Sequence, residues 1–341
     1  MPLKTKRLNL ALQGGGAHGA FTWGVLDRLL EDGRLAFDGL CGTSAGAMNA
    51  VVCAHGMQQG GRDGARASLE EFWRRVAAAG AVFSPVRGLP FDALFGGAWR
   101  AASHAAFDTL TRSFSPYQLN PLNFNPLRQV LEAVVDFDAL KACDCVELFV
   151  CATNVRSGKP RIFRNREVSA DAVLASACLP YLFQAVEIDG EAYWDGGYIG
   201  NPAIYPLIYE TRTMDILIVH VNPIAVQDVP RTAAEILDRV NEISFNSSLV
   251  REMRAIAFVQ KLIDDDWIKD KYKSKLRKLR MHALSADEDL AHLGLDTKLD
   301  PSWDNLVALR DKGRARAALW LTANHAAVGR TATVDLRKAY L

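Results

Sequence analysis

RLNLALQGGGAHGAFTWGVLDRLLEDG (7–33), with LCGTSAGAMNAVVCAHG (40–56) close behind it, decides the fold. Residues 7–13 form a short apolar run ended by glycines, and residues 17–32 have helical spacing closed by Gly33, which suits a C-terminal cap. A short second strand around Leu40 and Cys41 follows. After Gly42-Thr43-Ser44 comes a small-residue helix that Gly56 is expected to stop. This is a strand–helix–strand unit of about thirty residues. Such a crossover makes its two strands parallel, so the loop after the first and the turn after the second open on one edge of the sheet.

Working outward, residues 60–145 carry helical patterns (ASLEEFWRRVAAA, FDALFGGAWRAASHAAFDTL, PLRQVLEAVV) separated by FSPVRGLP and SPYQLNPLNFNP. Apolar strand-like runs resume at VELFVCAT (146–153), AVEI (185–188), EAYW (191–194) and DILIVHV (215–221), with a helix over SADAVLASAC between the first two. Strands alternating with helices predict an α/β fold with a mostly parallel central sheet flanked by helices. Beyond about residue 228 the strand signals stop. Ile236, Val240 and Ile243, then Leu249, Met253 and Ile256, repeat at three and four, so the C-terminal extension reads as helical. The basic run KDKYKSKLRKLR (269–280) reads as a solvated helix face, with attraction to anionic lipid as the alternative.

Gly42-Thr43-Ser44-Ala45-Gly46 is a G-x-S-x-G placed between a strand and a helix, the context in which a serine hydroxyl is held outward on a tight turn. Side chains two positions either side would collide with the turn, and the following helix start adds the N–H of Ala45 and positive potential. Ser44 is therefore a candidate nucleophile. Gly14-Gly15-Gly16-Ala17-His18-Gly19, at the end of the preceding strand, leaves backbone N–H groups unshielded and able to approach an oxyanion. The same glycines also spell a dinucleotide fingerprint, with Asp38 about twenty residues on. Asp38 is expected to precede the strand, whereas that motif needs its acid at the strand's carboxyl end. A Walker-type phosphate loop is excluded by the missing Gly-Lys-Ser/Thr.

Histidine is the default base for such a serine. His55 lies about 16 Å along the same helix, out of reach. His18 is expected to shape the glycine loop, and His220 to be a satisfied strand-end residue. His104, His282, His292 and His325 have no partner motif. Asp195, in Tyr193-Trp194-Asp195-Gly196-Gly197, ends an apolar strand and is followed by two glycines that permit close backbone approach. Taken alone, Asp-Gly-Gly is more often a turn.

Composition narrows the classes. The 341 residues are 49% hydrophobic, enough for one large core, and 40 basic against 39 acidic residues leave no field to recruit nucleic acid. The six cysteines lie mostly in apolar runs with no CxxC pair and read as reduced. No metal site and no cofactor are visible. No run approaches the roughly 20 apolar residues needed to span a bilayer, so the expectation is a cytoplasmic protein with at most peripheral membrane contact.

Taken in order, GGGAHG (14–19), GTSAG (42–46) and DGG (195–197) resemble the patatin-like phospholipase family, as do CATNVRSG (151–158), ASACLPYLF (175–183) and Asn201-Pro202. The resemblance covers residues 7–210, read as a catalytic domain with a helical insert or lid within 60–145, and leaves 211–341 as a final strand plus helical extension. It implies a three-layer sandwich and a lipid acyl hydrolase working through a Ser–Asp dyad and an acyl-enzyme. Ser44 would be the nucleophile, Asp195 the proton acceptor, and the amides of Gly14, Gly15 and Gly16 the oxyanion hole, with Gly19, Gly42, Gly46, Gly196 and Gly197 supporting the motifs. Gln13 stands where many relatives have an acid, and His18 where a basic residue such as Arg is common. Phe91, Leu94, Phe95 and Trp99 are candidates for an acyl tunnel or lid, or plain core. An acyltransferase, a thioesterase or a non-catalytic lipid-binding scaffold are the alternatives on the same residues.

Overall fold

The computed structural model describes residues 5–83, 113–273, 276–290 and 295–341. Phe91, Leu94, Phe95, Trp99, His104 and His292 lie outside the described residues, as does part of the expected insert.

An eight-stranded sheet forms the middle layer. Strand β1 (Lys6–Leu12) pairs in parallel with β2 (Leu35–Thr43), and β2 with β3 (Glu147–Asn154). Antiparallel to β3 run β4 (Pro160–Arg164) and β6 (Glu191–Asp195), and β5 (Val186–Ile188) forms a hairpin with β6. On the other side of β1, β7 (Asp215–His220) and β8 (Arg280–Ser285) continue the parallel set.

Side-chain alternation along these strands builds three layers, because successive residues face opposite sides of a sheet. Leu8, Leu10, Leu12, Leu148, Val150, Leu217 and Val219 join one buried cluster, under helices α1 (Gly19–Asp32) and α2 (Ala45–Phe83). Ala11, Cys41, Phe149, Cys151, Ile216 and Ile218 join the other, with Leu249 and Met253 of the long helix α4 (Ala233–Asp264). Between them in sequence lies α3 (Ala170–Ser176), and after them α5 (Leu295–Lys298) and α6 (Trp303–Asn324).

Several expectations are corrected. The second strand is longer than Leu40–Cys41 suggests and begins at Leu35, so Asp38 lies inside it, bound to Arg7 and to the backbone N–H groups of Arg212 and Thr213. Gly56 does not stop α2. The helix leaves regular geometry only at Gly60 and Gly61, and the chain folds back so tightly that Gly56 lies against Ala65. The tail is not wholly helical, since β8 follows the basic run, of which only Asp270–Lys273 is a described helix. Cys143 and Cys145, expected to be reduced, are joined as a disulfide across a single intervening residue.

Ile236, Val240 and Ile243 lie on a different face of α4 from Leu249, Met253 and Ile256. Leu249, Met253 and Ile256 are 0%, 0% and 7% exposed, whereas the first three are 49%, 53% and 54% exposed. The six-residue step from Ile243 to Leu249 turns a helix by about 600°, or two-thirds of a turn beyond one full turn, so the triplets face opposite ways.

Candidate active site

Strand β2 ends at Thr43 and α2 begins at Ala45, so Ser44 carries the whole reversal. Its φ of 54° lies in the left-handed region, which costs a residue with a Cβ on the order of 1–2 kcal/mol. Glycine is required around it: a Cβ on Gly46 would strike the Leu12 carbonyl, and one on Gly42 the Gly46 carbonyl. Two hydrogen bonds hold the turn from below. The Ser44 N–H donates to Ser176 Oγ at 2.9 Å, and that hydroxyl donates to the Cys151 carbonyl at 2.6 Å.

The register of β1 and β2 sets Leu12 opposite Gly42, which carries the glycine loop to the serine. Gly14 lies so close that a Cβ there would meet Ser44 Cβ and the Thr43 carbonyl. Its N–H, expected to face an oxyanion, instead donates to Asn201 Oδ1 at 2.7 Å, because the loop after β6 passes directly over the strand end. Among the described residues the N–H groups of Gly15 and Gly16 have no such partner. The Ala45 N–H opens a helix and is likewise unclaimed within it.

Gln13 ties this loop down. Its Oε1 accepts from the Val221 and Asn222 amides at 2.9 and 3.0 Å, and its Nε2 donates to Asn246 Oδ1 at 2.8 Å. A carboxylate there could accept but not donate. The opposite wall comes from the extension: the Lys298 carbonyl abuts Gly16, and His18 Nε2 bonds Thr297 Oγ1 at 2.8 Å.

Strand β4 occupies one flank of β3 along residues 149–153, so β6 joins the other flank, which β2 vacates at Thr43. Asp195, opposite Ala152, thereby stands just past the end of the strand that carries Ser44. Cβ atoms on Gly196 and Gly197 would strike the Cys151 carbonyl and the Phe245 ring, and one on Gly19 the Ala45 Cβ. The Asp195 carboxyl is 0% exposed; Oδ1 accepts from the Gly197 N–H at 2.7 Å, and Oδ2 has no hydrogen-bond partner among the described residues. Burial pushes its pKa up to about 7, and the Gly197 amide and the nearby Ser44 hydroxyl only partly offset that rise.

Of the histidines, His18 is driven to about 3 by burial and by Lys298 and Lys312, so it is neutral. His220 is buried against Tyr340, 2.7 Å from its hydroxyl, and His55 accepts from the Asp136 N–H at 3.2 Å. None of these three joins the serine. What does meet at this edge is a hydroxyl, a buried carboxyl poised near neutrality and unclaimed amides. That set has the parts nucleophilic acyl transfer needs: an attacking group, a proton acceptor and donors for developing charge.

Sequence reasoning gave no role to Ser176, Asn201 or Asn246, which hold the Ser44 turn and the glycine loop in place. Ser176 and Asn201 do fall in segments quoted for the resemblance. Asn246 and its neighbour Ser248, whose Oγ accepts from the Asn201 N–H at 3.1 Å, come from α4 and carry no local signal. Among the described residues no cluster of His, Cys, Asp or Glu is arranged to hold a metal ion, and no helix is long and apolar enough to cross a membrane.

A family model described as patatin-like phospholipase matches residues 10–208. Among solved structures, VipD from Legionella pneumophila aligns with a TM-score of 0.43 at 16% identity, covering 94% of this chain and 67% of VipD. No curated protein matches the chain.

Proposed function

This chain belongs to the patatin-like phospholipase family, whose general activity is lipid hydrolysis, and on that premise we propose that Ser44 and Asp195 form a catalytic dyad that cleaves carboxylic esters of phospholipids or other acyl lipids. Ser44 Oγ attacks the ester carbonyl while Asp195 accepts its proton. The N–H groups of Gly15, Gly16 and Ala45 hold the oxyanion, each contributing about 3 kcal/mol in the transition state, and Gly14 supports the loop through Asn201. Collapse expels the alcohol, which takes the proton back from Asp195 as it leaves, and an acyl-serine remains. Water, deprotonated by Asp195, then releases the fatty acid and restores the hydroxyl. Residues 7–210 supply the reacting groups in this reading, and the extension contributes the side chains that brace them.

The observation that carries the reading is the Asp195 carboxyl itself: fully buried, with one oxygen unpartnered, next to Ser44 and raised to about 7. An ordinary aspartate, at about 3.9, is too weak a base for a serine; burial removes that objection. A fluorophosphonate probe should label the wild-type protein and not Ser44→Ala, and the wild type alone should release fatty acid from phospholipid vesicles. Equal labelling or equal release by the two proteins overturns the assignment.

A further inference from the structure

The long helix α4 outgrows the sheet it packs on. Its 32 residues span about 48 Å, whereas strands of six to nine residues reach only about 20–30 Å. Phe245 and Asn246 mark where it passes the active-site edge, since Phe245 fills the space beside Gly197 and Asn246 bonds Gln13. Residues before them run on past that edge, and Ile236 lies about 14 Å further along the axis.

This projecting part carries the exposed triplet Ile236, Val240 and Ile243. Continued at helical spacing, the same face bears Ser247, Arg251 and Arg254, all within about 80° around the axis, and no carboxylate lies on that stripe. Arg251 bonds only the Ser247 carbonyl and hydroxyl of its own helix, at 3.2 Å each. Both arginines are exposed, and among the described residues neither has a carboxylate partner. By contrast, Arg239 and Glu242, on the inward side, bond each other at 3.2 Å.

We propose that this stripe of α4 is the surface by which the protein docks on a bilayer containing anionic phospholipid. Ile236, Val240 and Ile243 enter the boundary between headgroups and acyl chains, and Arg251 and Arg254 bind lipid phosphates. The order along the helix fits that layer. Interfacial helices bury their apolar side chains about 5–10 Å deep, and long cationic side chains set roughly 12–16 Å behind the apolar triplet reach back to the phosphate level. The charge is complementary, since two unpaired guanidiniums suit phosphate oxygens better than a neutral protein surface. Docking here presents the edge bearing Ser44 to the membrane, so that a lipid moves directly from bilayer to site. The inference rests on the lipid-hydrolase reading and adds the surface that makes contact.

The test is flotation with vesicles of phosphatidylcholine containing about one-third phosphatidylglycerol, paired with hydrolysis of the same vesicles and of a monomeric short-chain ester. Wild type and Ser44→Ala should float equally. Ile236→Ser/Val240→Ser/Ile243→Ser should lose vesicle binding and vesicle hydrolysis by at least about ten-fold while hydrolysing the monomeric ester at the wild-type rate, which also reports an intact fold. Arg251→Glu/Arg254→Glu should lose the preference for phosphatidylglycerol. The proposal is overturned if wild type fails to float, if the triple variant binds and cleaves vesicles normally, or if the triplet governs self-association without lipid instead. Failure of the dyad is separable: it silences the monomeric ester yet leaves flotation unchanged.

Discussion

Among the described residues two aspartates lose essentially all contact with solvent, Asp195 at 0% and Asp215 at 1% exposure, and they end in opposite electrostatic states. Asp195 closes β6 at the edge where Ser44 stands. Asp215 opens β7 and therefore lies at the other edge of the parallel set. Burial pushes both pKa values up. For Asp215 the rise is more than reversed by His282 and Arg280, with the Gly329 N–H adding to them, so its carboxyl is held well below the usual range. Asp195 has one amide and a neighbouring hydroxyl, and it rises to about 7. Burial alone does not decide whether a carboxylate is held ionised or raised toward neutrality; the number of committed donors does.

Exchanging each for asparagine separates the two roles most sharply. Asp195→Asn should lower kcat/KM for ester cleavage by about a thousand-fold or more, while circular dichroism shows an unchanged fold. Asp215→Asn should leave kcat within a few-fold and cost about 3 kcal/mol in urea unfolding, because Arg280 and His282 lose the charge they were arranged around. A stable, inactive Asp215→Asn would break the comparison.

The pH dependences should run in opposite directions. In the proposed role of base, Asp195 must be ionised, so kcat/KM should climb with pH and reach half its plateau near 7. Its folded pKa lies above the unfolded value, so its ionisation withdraws stability as pH rises from about 4 to about 7, by on the order of 4 kcal/mol. Asp195→Asn should therefore gain on wild type over that window. Asp215, with its folded pKa depressed, contributes stability that is present above the ordinary aspartate value and is lost as pH falls below it. Chemical denaturation of the two variants and wild type at pH 2, 3, 4, 6 and 8 reads both slopes, the Asp215 slope below pH 4 and the Asp195 slope above it.

The elements that put Ser44 beside the glycine loop were legible because they depend on local pattern, whereas Asp195 was assigned only through the family resemblance. Strand periodicity, Gly33 as a cap, and G-x-S-x-G between strand and helix gave the parallel pair and its shared edge. Illegible features depended on contacts far apart in sequence. Nothing near Gly14 announces that Asn201, 187 residues later, takes its N–H. His220 and Tyr340 are 120 residues apart, yet their bond is what makes the histidine a core residue. In α4, spacing of three and four was correctly helical, but the six-residue step hid a change of face. The strand β8 was missed because RMHALS (280–285) offers few apolar residues, and as an edge strand it needs only one paired side.

The smallest effect in this comparison concerns why Asp195 is short of donors. Polar groups around it are satisfied by one another: Ser176 bridges Ser44 N–H and the Cys151 carbonyl, and Thr153 Oγ1 donates to the Asp195 carbonyl at 2.7 Å, not to its side chain. Ser176→Ala removes the bridge without touching either reacting group. The Ser44 N–H then loses its acceptor, and a serine at φ 54° loses one of the bonds that keep it there. At about 1–2 kcal/mol this should lower kcat by about ten-fold with KM little changed, since the loss bears on nucleophile alignment rather than on substrate contact. Because Asp195 keeps its burial and its single amide, the pH midpoint near 7 should stay in place. Ser176→Thr, which retains the hydroxyl, should recover part of the rate. A midpoint that moves with Ser176→Ala would mean that the hydroxyl also tunes the carboxylate, and the positioning role would have to be abandoned.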